Sequence, residues 1–583
     1  MNPTAPTSPP EPGSGWRRER WPVLWALLAG ALLGVLPHLV RLWNTGDPTW
    51  LSDIDELVPY GQQISFAQHQ HPWRLGDPAF ASGGASVFPW IQFGPYLLGA
   101  KALGTGTLGT FILMRLWAGA SMALGCYLLL RILRPGWLSA AIAVLLVSDQ
   151  GLKRGIPFLD HFRSVLSILR DQPLEKLHEW SAVLPHLRLI SPGISLFSLL
   201  LAVALLVRLQ SQPTTRRAIH AGLGLGLCIA TYLYFWTALV IAIGFLALLQ
   251  PSRWRLYFIV LALGGCVGSP ALLQNFLTKL HYGDEWLVRN EYFVPVLVRT
   301  WDLPKLALAL YAITAPYAFR IRPQLLPVWL TGFASILLSQ SHHLTGILLQ
   351  PFHWLMAPGP LVAILLFHAA ADAWRKWGTL RIPAVAAATA IATLTIAQFT
   401  GALLLRGWAT DHNQSASDIE QRRQQWLAFL KDNPGLALVP NAVIAGDHLI
   451  TDWTVLHQGL RPLTGTLTIS PSVKDAQWLR RRVLNAWLKG YPESAVQESA
   501  WSEHGVWFEL GRMDDAARAR QMNSMRETWR DIHAQPGRAC DEFSVRYLMT
   551  AAGADVPSHV REGWRLIASN PAWELRERPM NPR

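Results

Sequence analysis

Apolar segments of membrane-spanning length recur from Trp21 to about Leu405, joined by short, arginine-rich turns. No other feature restricts the possible folds as strongly. A helix needs about 20 apolar residues to cross the hydrocarbon core. Runs at 21–43, 108–131, 136–149, 192–209, 218–233, 235–250, 256–275, 303–319, 324–340, 352–372 and 383–405 predict about eleven transmembrane helices. With the N-terminus in the cytoplasm, the turns on that side are "RILRPG", "RLQSQPTTRRAIH", "QPSRWR", "FRIRP" and "AWRKWGTLR". Each is rich in arginine or lysine, as the positive-inside rule requires. The chain therefore reads as a polytopic α-helical membrane protein, with residues 1–20 a disordered cytoplasmic tail, 21–410 the membrane domain and 411–583 a small soluble α/β domain on the outer face.

Composition supports this division. Only 15% of the 583 residues are charged, against about 25% in soluble domains. The net charge of +13 follows from arginines gathered at one membrane face, and no nucleic-acid partner is expected. Cys126, Cys228 and Cys266 lie in apolar runs and Cys540 stands alone, so no disulfide framework or zinc spacing is visible. The stretch from Val87 to Leu103 is interrupted by Pro89, Gly94, Pro95 and Lys101. It is expected to lie at the outer interface or to dip back into it.

The unusual polar residues collect in the outer loops, at 44–107, 150–191, 276–302 and 341–351. The first loop contains "SDIDELVPYG", with Asp53, Asp55 and Glu56 at the end of the first apolar run. A carboxylate there can take a proton from an incoming hydroxyl or amine. A second carboxylate can raise its pKa or help it hold a divalent metal. The same residues also suit the N-terminus of a helix lying beside the membrane, and the two readings are compatible. In the second loop, "HFRSVLSILRD" has the spacing of an amphipathic helix on the membrane surface. "SHHLTGILLQPFHW" brings His342, His343 and His353 to an outer helix end, as a polar cavity lining, phosphate donors, proton carriers or metal ligands. The stretch Pro351 to Gly359 contains a second proline, Pro358, which should kink its helix or give it a ragged start. Tyr232, Tyr234, Trp236 and Trp354 read as an interfacial aromatic belt. In the C-terminal part, "SDIEQRRQQWLAFLKDNPG" predicts a helix ending at Pro434–Gly435, "NAVIAGD" and "GVWFEL" predict strands, and 473–490 and 511–531 predict helices.

The first-loop motif resembles that of the GT-C glycosyltransferases, among them the lipid A aminoarabinose transferases and protein O-mannosyltransferases. Asp55, Glu56 and Tyr60 match its Asp-Glu and following aromatic. "HPWRLGDPAF", "VFPWIQFGPYLLGAKALG" and "MRLWAGASMALGCYLLLRILRPGWLSAAIAVLLVSD" are similar to the segments after it, so the likeness spans roughly residues 20 to 405. It implies an inverting transferase that takes a sugar from a polyprenyl-phosphate carrier, with Asp55 as general base and Glu56 as its partner. Asp53 is an additional acid and leaves the base open between Asp53 and Asp55. Asp160 and His161 are candidate counterparts of further metal-binding acids, which with Asp55 would hold a divalent ion such as Mg or Mn. A phosphate donor also needs cations on that side, and Arg163, Arg188 and Arg289 are the candidates.

The expected function is sugar transfer from a polyprenyl-phosphate donor to an envelope glycan, lipid or protein, in the inner membrane of a bacterium. The alternatives are a glycolipid transporter or flippase and a non-catalytic envelope-assembly protein. A transporter should bury acids in mid-helix, and the sequence has almost none.

Overall fold

The computed structural model describes residues 14–49, 51, 56–69, 75, 86, 89–132, 135–148, 193–283, 304–345, 351–376, 414–465, 472–496 and 515–579. Helix covers every expected segment from 21–43 to 352–372; segment 383–405 lies outside the described residues. The helices are α1 (Ser14–Thr45), α2 (Gln62–His69), α3 (Gly94–Ala102), α4 (Gly106–Leu130), α5 (Trp137–Ser148), α6 (Ser195–Ser211), α7 (Thr215–Thr231), α8 (Leu233–Leu249), α9 (Trp254–Tyr282), α10 (Lys305–Pro316), α11 (Leu326–Ser339) and α12 (Pro358–Lys376). Among the described residues four stretches are long and apolar enough to cross a membrane unaided: Glu19–Trp43, Gly106–Leu130, Pro251–Tyr282 and His353–Arg375. The protein is a multi-pass membrane protein. α3 spans 9 residues, too short to cross a membrane. Pro358 separates a 3-10 turn, Pro351–Met356, from α12, so that helix starts in two pieces. Phe258 and Leu280 on α9 and Leu28 on α1 are exposed, as lipid-facing side chains would be.

Glycines set the closest helix crossings. A side chain on Gly30 of α1 would collide with the Gly119 carbonyl of α4, and one on Gly34 with that of Arg115. The α7–α9 pair repeats the device: Gly222 and Gly226 face Leu263 and Val267, while Gly264 and Gly268 face Leu225 and Ile229. Small residues four apart let backbones approach and gain dispersion contact where lipid offers no hydrophobic drive. The α1–α4 crossing matters most, because it brings Arg115 against the C-terminal half of α1.

Charge pairs close the end of the bundle opposite the acidic loop. Glu19 meets Arg131 at 2.8 Å. Asp372 accepts from Arg322 at 2.7 Å and from the Tyr317 hydroxyl at 2.8 Å.

The C-terminal part contains α13 (Gln414–Asp432), α14 (His448–Gln458), α15 (Asp475–Leu488), α16 (Asp515–Ala534), α17 (Pro536–Glu542) and α18 (Ser558–Gly563). They surround a five-stranded sheet in the order β2-β1-β3-β5-β4. Its strands are β1 (Val443–Gly446), β2 (Arg461–Pro462), β3 (Val545–Ala551), β4 (Arg565–Ser569) and β5 (Trp573–Glu577). β1 pairs in parallel with β2 and β3, and β5 pairs antiparallel with β3 and β4. The strand at "NAVIAGD" and the helices near 473–490 and 511–531 are present, whereas "GVWFEL" lies outside the described residues. β3, β4 and β5 were not anticipated by the sequence reading. One apolar core runs across the junction. It joins Leu57, Phe93, Phe111 and Met114 of the membrane part to Trp426, Ile450, Trp453 and Tyr547 of the C-terminal part.

Candidate active site

The acidic motif leads into a single π-helical turn, Glu56–Gly61, which continues as α2. Glu56 is fully buried and forms an ion pair with Arg115 of α4, itself fully buried. Arg115 Nη1 also donates to His38 Nε2 at 2.9 Å. His38 Nδ1 lies 2.6 Å from the Pro48 carbonyl oxygen. A guanidinium only donates and a carbonyl only accepts, so these partners fix the His38 tautomer with its proton on Nδ1. Two charges taken out of water hold together only when further hydrogen bonds saturate them, and His38 supplies one. The chain Pro48–His38–Arg115–Glu56 ties the end of α1, the middle of α4 and the start of the motif helix.

The other face of α2 is held by the C-terminal domain. Gln62 Nε2 donates to Asp452 Oδ1 at 2.6 Å, both residues buried. Ser65 Oγ donates to the carbonyls of Val455 (3.2 Å) and Leu456 (3.0 Å) at the end of α14. Gly459 caps α14 at φ +66°, and a side chain there would strike the His69 ring, so both conformation and close approach require glycine. Arg423 pairs with Asp47 and Arg41 with Glu420, joining α13 to the end of α1.

His457 stacks on Trp426 at 4.3 Å and on Trp453 at 5.9 Å between ring centroids. Burial, and then the Arg423 guanidinium, push its pKa down to about 4. The unfolded chain therefore binds a proton between about pH 6.5 and 4 that the folded chain does not. Stability from this group should be whole above about pH 6.5 and fall by at most about 1.4 kcal/mol per pH unit toward pH 4. Thermal unfolding of the full chain at pH 7.5 and 5 should show the loss. His457→Phe, which keeps the stack and cannot ionise, should reduce it; an unchanged pH dependence in that variant would refute the assignment.

A second cluster stands beside the first. Tyr60 lies 6.0 Å from Phe93, ring to ring. Gln92 Nε2 donates to the Thr231 carbonyl. The chain turns extended at Tyr232 between α7 and α8, and its hydroxyl meets His353 Nδ1. His353 stacks on Tyr234 at 4.5 Å, Tyr234 meets Trp354 edge-on at 4.9 Å, and Trp354 Nε1 donates to Thr237 Oγ1 at 3.0 Å. Tyr234 and Trp354 are buried. The interfacial-belt reading is corrected for these two, since Tyr234 packs on His353 and Trp354 on Tyr234 inside the protein rather than facing lipid. His342 is buried, with its ring centroid 4.1 Å from that of His343.

The structure thus brings Glu56 and Tyr60 into one core, and places His353 against the helix break at Tyr232. Asp53, Asp55, Asp160, His161, Arg163, Arg188 and Arg289 lie outside the described residues. Among the described residues no group of three or more His, Cys, Asp or Glu could hold a metal ion. The sequence reading missed the partnership of Arg115 with Glu56. Its signal was an arginine inside an otherwise apolar span, which requires a counter-charge.

No protein-family model matches the sequence, and no curated protein is similar enough to match. Solved structures do match. ArnT from Cupriavidus metallidurans in the apo state is 12% identical, with a TM-score of 0.50 over 96% of this chain and 97% of that one. The chain shares its fold with that protein. ArnT bound to undecaprenyl phosphate matches at 12% identity and a TM-score of 0.42, over 97% and 98% of the two chains. The Archaeoglobus fulgidus oligosaccharyltransferase, in complex with Zn and sulfate, matches at 12% identity and a TM-score of 0.44, over 90% of this chain and 68% of that one.

Proposed function

We propose that the protein is an inverting glycosyltransferase that uses a polyprenyl-phosphate sugar and acts at the outer face of a bacterial inner membrane. The observation that carries this is the double anchorage of the acidic motif. The segment after Asp55 is fixed to the membrane helices through Glu56–Arg115 and to the C-terminal domain through Gln62–Asp452. Chemistry at a membrane edge requires a carboxylate kept in register with a substrate whose tail stays in the bilayer, and rigid support of this kind supplies it. Asp55 takes the proton of the acceptor hydroxyl or amine as that atom attacks the anomeric carbon. The bond from that carbon to the phosphate oxygen breaks, and the polyprenyl phosphate leaves with the electron pair. Glu56 is neutralised by Arg115, so its part is to position the base rather than to raise its pKa by repulsion. Asp53 is the alternative base. A divalent metal, where one is used, would be held by Asp55, Asp160 and His161. Tyr60, His342, His343 and His353 line the cavity, and the acceptor is a glycan, lipid or protein of the envelope.

Orientation is tested by reporter fusions. Those at Arg217, Arg253 and Arg375 should report cytoplasm, and those at Asp284 and His457 the outer side. An outer-side signal at Arg217 would invert the placement of the acidic loop.

Arg163, Arg188 and Arg289 are the proposed holders of the donor phosphate. A guanidinium grips two phosphate oxygens at once and an ammonium does not. At least one Arg→Lys change among the three should raise the KM for lipid-linked sugar about tenfold. Kinetics in nanodiscs with a defined carrier measure this, and full activity of all three lysine variants would reassign them to lipid contact.

A further inference from the structure

At the end of the bundle away from the acidic loop, the turn between α6 and α7 forms an open cavity of about 640 Å³. Its lining is Leu205, Arg208, Gln212, Thr214, Arg216, Arg217 and His220. α6 has 17 residues, so this cavity stands about 25 Å along the helix axis from the candidate active site.

Three features suit the cavity to an anion. The lining holds three arginines and a histidine and no carboxylate. Two carboxylates at this end are held by other arginines, Glu19 by Arg131 and Asp372 by Arg322. Arg217 is fixed in place: its Nη1 donates to the Arg208 carbonyl at 3.2 Å, its Nη2 to Gln212, and its backbone N–H to Thr214 Oγ1, which caps α7. The cavity therefore also borders the N-terminus of a 17-residue helix, where free N–H groups favour an anion. Like charges crowded this way repel one another until an anion enters.

The surroundings indicate what carries the anion. Ile219 and Leu223 lie on α7 beside His220, four residues apart, and both are exposed. A polar head in the cavity would leave an acyl chain lying along them.

We propose that this cavity binds the phosphodiester headgroup of an anionic phospholipid from the leaflet opposite the active site. Arg208 and Arg216 grip the phosphate, and the tail runs over Ile219 and Leu223. Basic pockets between transmembrane helices suit such heads. Phosphatidylglycerol and inorganic phosphate share the recognised group, and only the lipid also uses the apolar strip.

The test uses the purified full chain in detergent, titrated with phosphatidylglycerol, phosphatidylcholine or inorganic phosphate and followed by native mass spectrometry and thermal unfolding. Phosphatidylglycerol should be retained in preference to phosphatidylcholine and should raise the unfolding temperature, while inorganic phosphate should not. Arg208→Gln/Arg216→Gln changes two exposed side chains and should fold normally while binding phosphatidylglycerol about thirtyfold more weakly. Ile219→Ser/Leu223→Ser should weaken phosphatidylglycerol and leave any binding of inorganic phosphate alone. Equal retention of both lipids, undiminished phosphatidylglycerol binding in the arginine variant, or protection by inorganic phosphate equal to that by lipid would each overturn the proposal.

Discussion

Arg115→Met should destabilise the protein by about 3–5 kcal/mol, because it leaves the Glu56 carboxylate buried without its counter-charge. That is a large share of the roughly 5–15 kcal/mol by which a folded domain is stable. The loss should fall where the C-terminal half of α1 meets α4, since Arg115 also donates to His38 there. Arg115→Met/Glu56→Met removes both charges together, while the bond from His38 Nδ1 to the Pro48 carbonyl stays. Replacing a whole buried pair is commonly neutral or stabilising, so the double variant should recover most of the lost stability. Thermal unfolding in one detergent, with the single and double variants side by side, gives the coupling directly. If the double variant is no better than Arg115→Met, the pair is not the anchor described above. The double variant should nonetheless transfer sugar poorly, because the segment carrying Asp55 has lost its tie to the membrane helices.

Residue by residue, what could be read from the sequence follows how local each interaction is. The apolar helices are legible because long apolar runs have few other uses, and the break at Pro358 because proline removes a local hydrogen bond. The helix ending near Pro434–Gly435 carries its own stop signal and ends at Asp432. The acidic motif could be found, but not what holds it. Glu56 and Arg115 are 59 positions apart, and Gln62 and Asp452 are 390 apart. Nothing in the sequence between them records either pairing. Tyr234 and Trp354 looked like belt residues because an aromatic at a helix end has the same sequence whether it faces lipid or another helix. The strands "RLIAS" and "WELRE" mix charged and apolar residues over five positions, a weak pattern that acquires meaning only when β3 pairs beside them. The G-x-x-x-G spacings at Gly222–Gly226 and Gly264–Gly268 are local patterns that mark the close α7–α9 crossing.

Asp55→Asn should lower transfer by about 10²–10⁴, the usual contribution of a positioned general base, while expression and membrane insertion stay normal. The amide keeps the shape of the carboxylate and loses its basicity. Glu56→Gln should act differently, through folding, because it removes the charge that Arg115 is buried against. Asp53→Asn separates the two possible bases, since only the true one should abolish transfer at normal stability. The most direct measurement is sugar transfer in proteoliposomes containing a defined polyprenyl-phosphate sugar and a membrane extract as acceptor source, comparing wild type, Asp53→Asn and Asp55→Asn. The account predicts transfer by the wild type, its loss in Asp55→Asn, and an unaltered unfolding temperature in that variant. Undiminished transfer by both asparagine variants would contradict it.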